Sequence, residues 1–181
     1  SADGVAEFRE LFFSHAGGYG QQCVASAHRS RLWDVAAGQV VDLEVAELGA
    51  ERLLGANTFI EKFAVISFAE TGRTRTSFTT NRSTIGSAID SMTASGWTAI
   101  SQGLRSSGSL FSSAHRAGAV RIVLTLSDGD QTTDCGSPRD CTGAAIAAAT
   151  APKAQSVTIF AWGFGGVSAS TPRSIASDAS T

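Results

Sequence analysis

An α/β fold layered around a mostly parallel sheet is what the sequence predicts, and three observations carry that expectation. First, Val120 to Gly129 (Val-Arg-Ile-Val-Leu-Thr-Leu-Ser-Asp-Gly) is an apolar, β-branched run of strand length that stops abruptly at Ser-Asp-Gly. A run that apolar is buried on both faces, as in the middle of a sheet covered by helices. Second, Phe63 to Phe68 is another buried strand, and Val157 to Phe160 opens a further one that runs through Trp162 to Gly163. Third, stretches of helical periodicity separate these runs, and strands alternating with helices build a parallel sheet. Asp128 then falls at the carboxyl end of a central strand, the edge at which open α/β sheets bind ligands.

Residues 1–33 read as an N-terminal extension. Val5 to Phe13 fits a short amphipathic helix, and Ser14 to Gln22, with Gly17, Gly18 and Gly20, reads as loop. Arg31 to Trp33 fits the end of a strand, although poor strand formers precede it. From Val40 to Gly55 the pattern is helical, with Val41, Val45, Leu48, Leu53 and Leu54 separated by acidic residues, and with Gly55 and Asn57 as stop signals. Thr71 to Arg75 reads as a turn, and Arg75 to Phe78 as an edge strand pairing back. Thr80, Asn81 and Ser83 offer caps for a helix from about Thr84 to Met92, with Ile85, Ala88, Ile89 and Met92 on one face. A second helix is predicted from Ala99 to about His115, with Ile100, Leu104, Leu110 and Phe111 inward. Gly143 to Ala154 is Ala-rich and helical until Pro152 disturbs it, and Ser170 to Ser177 opens a last helix with Pro172 near its start.

At 181 residues the chain is one domain by default, long enough to bury a real core. The formal net charge of -2 and the lack of a basic patch argue against a nucleic-acid partner. No apolar run approaches the ~18 residues that span a bilayer, so direct membrane insertion is not expected. Cys135 and Cys141 flank a short polar loop and either close a small disulfide ring, as in an oxidising compartment, or remain two free thiols. Neither a nearby His nor a second Cys pair accompanies them, which argues against zinc. Cys23 is left over. Asn81-Arg82-Ser83 is a glycosylation sequon, with Asn81 as the acceptor.

Four separated motifs then converge. Gly96-Trp97-Thr98-Ala99-Ile100 with Gly103-Leu104 resembles the Gly-Gly-Thr-Ala turn of von Willebrand factor type A domains. Leu124-Thr125-Leu126-Ser127-Asp128-Gly129 resembles their strand ending in Thr/Ser-Asp-Gly. Phe63-Ala64-Val65-Ile66-Ser67-Phe68 is similar to their Val-x-Phe-Ser strand, and Val157 to Gly165 to the strand that follows. The resemblance covers roughly residues 34–178. It implies a Rossmann-like three-layer sandwich over residues 34–181, with helices on both faces of the sheet. Relative to the family, it also implies a domain truncated at its C-terminal end.

The family binds partners through a divalent cation at a metal-ion-dependent adhesion site, built from a loop Asp-x-Ser-x-Ser, a Thr and an Asp. Mg²⁺ is hard and takes six oxygens, so carboxylates, hydroxyls and waters suit it, and a partner carboxylate completes the shell. Carried over residue by residue, the loop falls on Asp34-Val35-Ala36-Ala37-Gly38, with Thr98 and Asp128 as the other ligands. Ala36 and Gly38 stand where the serines belong and offer no side-chain oxygen. The resemblance therefore implies a degenerate site at Asp34, Thr98 and Asp128, with weakened or absent binding of Mg²⁺ (or Ca²⁺ or Mn²⁺).

Each residue also has a plainer role. Asp128 can be a turn aspartate before Gly129, Thr98 a cap for the following helix, and Asp34 a loop acid. Asp130 and Asp134 read as a solvated acidic loop, with Asp130 on the rim of the site. Trp97 either projects from that rim as a contact residue, a role in which Trp is enriched, or packs beneath it. His15, His28 and His115 are isolated.

An enzyme reading lacks support, because no Gly-x-Ser-x-Gly elbow follows a strand. Gly163-Phe164-Gly165-Gly166 lacks the residues of a phosphate loop. The expected function is a non-enzymatic binding module for adhesion or structural assembly, in a larger extracellular or cell-surface protein. Its partner would be a protein or an extracellular-matrix ligand. The alternatives are an intracellular assembly subunit with the same fold and a nucleotide-binding α/β enzyme.

Overall fold

The computed structural model describes residues 21–27, 33–34, 39–40, 60–92, 96–127, 129–136, 139–163 and 170–177. The helix expected within residues 5–13 and the body of the one expected over 40–55 lie outside the described residues. The strands are β1 (Gln21–Ala27), β2 (Trp33–Asp34), β3 (Gln39–Val40), β4 (Ile60–Phe68), β5 (Gly72–Thr79), β6 (Val120–Ser127) and β7 (Val157–Gly163). The described helices are α1 (Arg82–Asp90), α2 (Ile100–Ala114), α3 (Cys141–Ala154) and α4 (Ser170–Ile175).

Five strands form one sheet in the order β5-β4-β1-β6-β7. The pairs β1–β4, β1–β6 and β6–β7 are parallel, and β5 alone returns antiparallel against β4. Strand β1 is the middle strand, in register with Phe63–Ser67 on one side and Val120–Leu126 on the other. The extension expected over residues 1–33 therefore contains the centre of the sheet. Strand β6, expected in the middle, is interior but one place over. Strands β2 and β3 make a separate two-residue antiparallel pair.

Alternation along the strands sends side chains to two cores. Ala64, Ile66 and Phe68 of β4, Val123 of β6 and Ile159 of β7 meet Ile100, Leu104 and Phe111 of α2, Ala145, Ala148 and Ala149 of α3, and Ile175 of α4. Phe63, Val65, Ile122, Leu124 and Leu126 meet Ile85, Ala88 and Ile89 of α1, with Phe160 and Trp162 packed against them. Helices thus cover both faces, and the protein is a three-layer α/β sandwich.

Helix α1 starts where the sequence places it. The Asn81 side chain accepts the Thr84 N–H at 3.2 Å, and Ile85, Ala88 and Ile89 fall one turn apart on the buried face. Helix α3 starts at Cys141, two residues before the predicted Gly143, and runs through Pro152 to Ala154 without interruption. Pro152 sits in the last turn and is buried, and a Cβ on Gly108 of α2 would lie 3.5 Å from its Cδ. The ring there fills a close helix–helix contact. The turn into β5 begins earlier than predicted, with the strand starting at Gly72. A side chain at Gly72 would fall on Ser106 Oγ and on the Gln102 carbonyl, so α2 lies directly against the start of this edge strand. Arg73, exposed on β5, discourages edge-to-edge pairing with another chain.

Candidate functional site

Two connections meet above the carboxyl ends of β4 and β6. One is the Gly96–Ala99 turn that enters α2. The other is the loop between β6 and α3. Hydrogen bonds to both the N–H and the carbonyl of Thr98 join them. Thr98 N–H donates to Thr132 Oγ1 at 3.0 Å, and the Thr98 carbonyl accepts Thr132 N–H at 2.8 Å and Thr133 N–H at 3.4 Å. Thr98 is buried, and a Cβ on Gly129 would stand 3.5 Å from its Oγ1. Thr98 and Gly129, the residue beside position 128, therefore lie close together. Asp128 itself lies outside the described residues.

The start of α2 is capped from a distance. The cap residue is Ala99, not the Thr98 expected, and alanine has no side-chain acceptor. Gln131 replaces it: buried, it accepts the Ser101 N–H at 2.8 Å through Oε1 and donates to the Asp134 carbonyl at 3.0 Å through Nε2. A first-turn amide left bare by the sequence is thus satisfied from a loop 30 residues downstream.

Asp134 is the anchor of that loop. It is not the solvated acid that the sequence suggests. It adopts a left-handed backbone (φ 55°), and its Oδ2 accepts Ser101 Oγ at 2.6 Å, Gln102 Nε2 at 3.2 Å and the Arg105 guanidinium. The Ser101 hydroxyl chiefly holds its carboxyl below the ordinary value of 3.8; partial burial opposes this, and Arg105 and Gln102 reinforce it. A carboxyl with a lower pKa in the folded than in the unfolded state stabilises the fold above its unfolded value. That contribution disappears as the pH falls through the folded value. Acid titration should therefore loosen the loop from α2 below about pH 4. The Ser101 amide resonance is the reporter. Asp134→Asn should abolish that step and lower stability at neutral pH by about 1–2 kcal/mol. An unchanged acid transition in the variant would show that Asp134 does not fasten the loop.

Asp130 is likewise engaged. Its Oδ1 accepts Thr171 Oγ1 at 3.2 Å, which ties the rim to α4. Cys135 and Cys141 form a disulfide, joining the end of the loop to the first residue of α3. Between them Asp140 N–H donates to the Cys135 carbonyl at 3.0 Å, and Asp140 Oδ1 caps α3 by accepting Gly143 N–H at 2.7 Å. The ring and the cap together fix where the loop ends.

Trp97 projects from the rim and is 63% exposed. Of the two roles open to it in the sequence, the structure gives it the outward one. The turn beneath it is held by Glu70 at the β4–β5 turn, whose Oε1 accepts the Trp97 N–H at 3.2 Å. Asn81 is exposed and caps α1 through Oδ1, which leaves Nδ2, the atom a glycan would take, outside that bond.

Asp34 lies on β2, paired with Gln39, seven residues after β1 ends at Ala27. In sequence, the chain leaving β1 continues His28-Arg29-Ser30-Arg31-Leu32. Ala36 and Gly38 lie outside the described residues. Among the described residues, no three His, Cys, Asp or Glu side chains are grouped to hold a metal ion. The three described carboxylates of the β6–α3 loop, Asp130, Asp134 and Asp140, all accept hydrogen bonds from protein groups. The described residues thus do not make a cation shell by themselves. Gly163 ends β7, and Phe164 to Gly166 lie outside the described residues.

A parallel sheet closed by one antiparallel edge strand, covered on both faces, with two interlocked loops at its carboxyl edge, defines a doubly covered α/β sandwich. The sequence profile of the von Willebrand factor type A domain matches residues 35–131, and the chain belongs to that family. No curated protein matches it by sequence. Among solved structures, it is similar to a von Willebrand factor type A protein from Catenulispora acidiphila, with a TM-score of 0.71 at 19% identity over 88% of this chain and 37% of that one. It is also similar to proximal thread matrix protein 1 from the mussel byssus, solved with zinc in its adhesion motif. That match has a TM-score of 0.65 at 20% identity, over 88% of this chain and 40% of that one. The pilus adhesin SpaC from Lactobacillus rhamnosus GG gives a TM-score of 0.65 at 16% identity, over 81% and 25%. The chain spans less than half the length of each of these proteins, and identities this low speak to fold. No described helix is long and apolar enough to cross a membrane.

Proposed function

We propose that this chain is a non-enzymatic protein-binding module for adhesion or structural assembly in a larger extracellular or cell-surface protein. Its metal-dependent ligand binding is weakened or lost. The observation that carries this reading is how the carboxyl edge is built. Gln131 and Asp134 fasten the β6–α3 loop to the first turn of α2, Asp130 ties the same loop to α4, and a large aromatic residue is displayed on the rim. That arrangement favours a rigid contact surface over a reactive one, which would need a nucleophile and a base in mutual reach. The similar proteins include a pilus adhesin and a byssal matrix protein, which supports the same class of role. The Cys135–Cys141 disulfide supports an oxidising compartment over the intracellular alternative.

Weak metal binding has a specific basis. If the first metal-site loop is the one leaving the middle strand, it reads His28-Arg29-Ser30-Arg31-Leu32 and contains no carboxylate. If it begins at Asp34, Ala36 and Gly38 supply no hydroxyl. In either case the shell lacks oxygens that Mg²⁺ requires. Calorimetric titration of Mg²⁺, Mn²⁺ and Ca²⁺ into chelator-treated protein, with Asp128→Ala as control, should give no saturable heat at millimolar metal. Saturable binding that disappears in Asp128→Ala would overturn this reading and restore a metal-dependent adhesion site.

A further inference from the structure

The turn that carries Trp97 has a feature that metal-dependent adhesion does not explain. Trp97 is one of two large hydrophobic side chains exposed among the described residues. Its backbone is fixed on both sides, at its own N–H by Glu70 and at Thr98 by Thr132. Gly96 before it adopts φ 81°, a conformation suited to glycine, and any Cβ there would strike both Glu70 carboxylate oxygens. Glu70 and the turn are therefore fitted to each other. An indole held on a rigid turn loses little conformational freedom when a partner covers it.

The charge that holds the Trp97 backbone bears on the choice of partner. Glu70 is exposed, and among the described residues its carboxylate makes no ion pair. It accepts the Trp97 N–H at one oxygen. A carboxylate that already orders the aromatic turn retains lone pairs for an incoming donor. An indole face attracts cations, and a guanidinium can stack on a ring while donating to a carboxylate.

We propose that the Trp97–Glu70 corner is the anchor of the partner interface, and that it receives an arginine or lysine side chain from a basic segment of a protein ligand. This deepens the protein-binding reading above and rests on it. In the metal-dependent mode of the family, a partner carboxylate completes a cation's shell. Here the cation comes from the partner, and the carboxylate and π face belong to this chain. The partner's sign of charge is thereby reversed.

The test uses the full chain and three synthetic peptides of equal length, Arg/Gly, Glu/Gly and Ser/Gly in composition. The reporter is the Trp97 indole N–H resonance, assigned by its loss in Trp97→Leu. The Arg/Gly peptide should shift it saturably and more weakly as salt is raised, whereas the Glu/Gly and Ser/Gly peptides should not. Glu70→Gln keeps the acceptor for the Trp97 N–H and removes the charge. It should weaken binding about two- to five-fold, as should Trp97→Leu, which keeps apolar bulk and loses the π face. Equal shifts with the acidic and basic peptides, or an unaltered affinity in Glu70→Gln, would overturn the proposal. If the basic peptide gives saturable calorimetric heat but leaves the Trp97 signal in place, this corner is not the anchor while protein binding stands. If none of the peptides gives saturable heat or moves any resonance, both this proposal and the protein-binding reading it rests on lose their support.

Discussion

Phe111→Ala should lower the unfolding free energy by about 3–5 kcal/mol, measured by urea titration followed by circular dichroism. Phe111 of α2 is completely buried in the core that α2 shares with α3 and α4, and its ring centroid lies 5.1 Å from that of Phe78 on the edge strand β5. Deleting the ring removes its transfer free energy and leaves a cavity that β5 cannot close, because Gly72 already brings the start of β5 against α2. The same helix carries Ser101 in its first turn, the point where both Gln131 and Asp134 attach. A loss below about 1 kcal/mol would mean that β5 and α2 can approach further than the packing around Gly72 allows.

Replacing Cys135 and Cys141 together by serine should cost about 2–3 kcal/mol. The ring is short, so the gain from restricting the unfolded chain is modest. The local effect is larger than that figure suggests. The disulfide ends the loop that places Thr132, Gln131 and Asp134, and it joins that loop to the start of α3. In the double serine variant, amide exchange should quicken first at Thr98 and Ser101, before the sheet opens, because local openings follow the least supported segments. Equal exchange at those amides in the two proteins would show that the hydrogen bonds alone hold the loop.

The strands legible in the sequence are those buried on both faces by large apolar residues. In β4 and β6, alternate residues enter opposite cores, so each strand reads as a continuous hydrophobic run. Strand β1 pairs on both sides yet escapes notice, because Gln-Gln-Cys-Val-Ala-Ser-Ala carries little of the β-branched or aromatic signal that marks a strand. Without a strand signal at β1, the sequence offers no strand end from which to place the first metal-site loop. Helix α2 is rich in Ser and Gly, but Ile100, Leu104 and Phe111 keep its buried face readable. The turn at Gly96-Trp97-Thr98 was legible, because its motif is local. The site was not legible at Gln131 and Asp134, whose partners lie about 30 residues upstream in α2. Spacing within a loop cannot disclose a hydrogen bond to a helix that precedes it by a whole strand.

The remote cap on α2 also bears on the order of assembly. A helix whose first turn is satisfied by its own neighbours can complete that turn as soon as those residues leave the ribosome. Here the Ser101 amide has to wait for Gln131, beyond the entire length of α2 and β6. The display turn at Trp97 therefore matures late, after the strand that follows it has entered the sheet. A nascent or partly unfolded chain would present the aromatic without its scaffold, and only the finished domain holds it still.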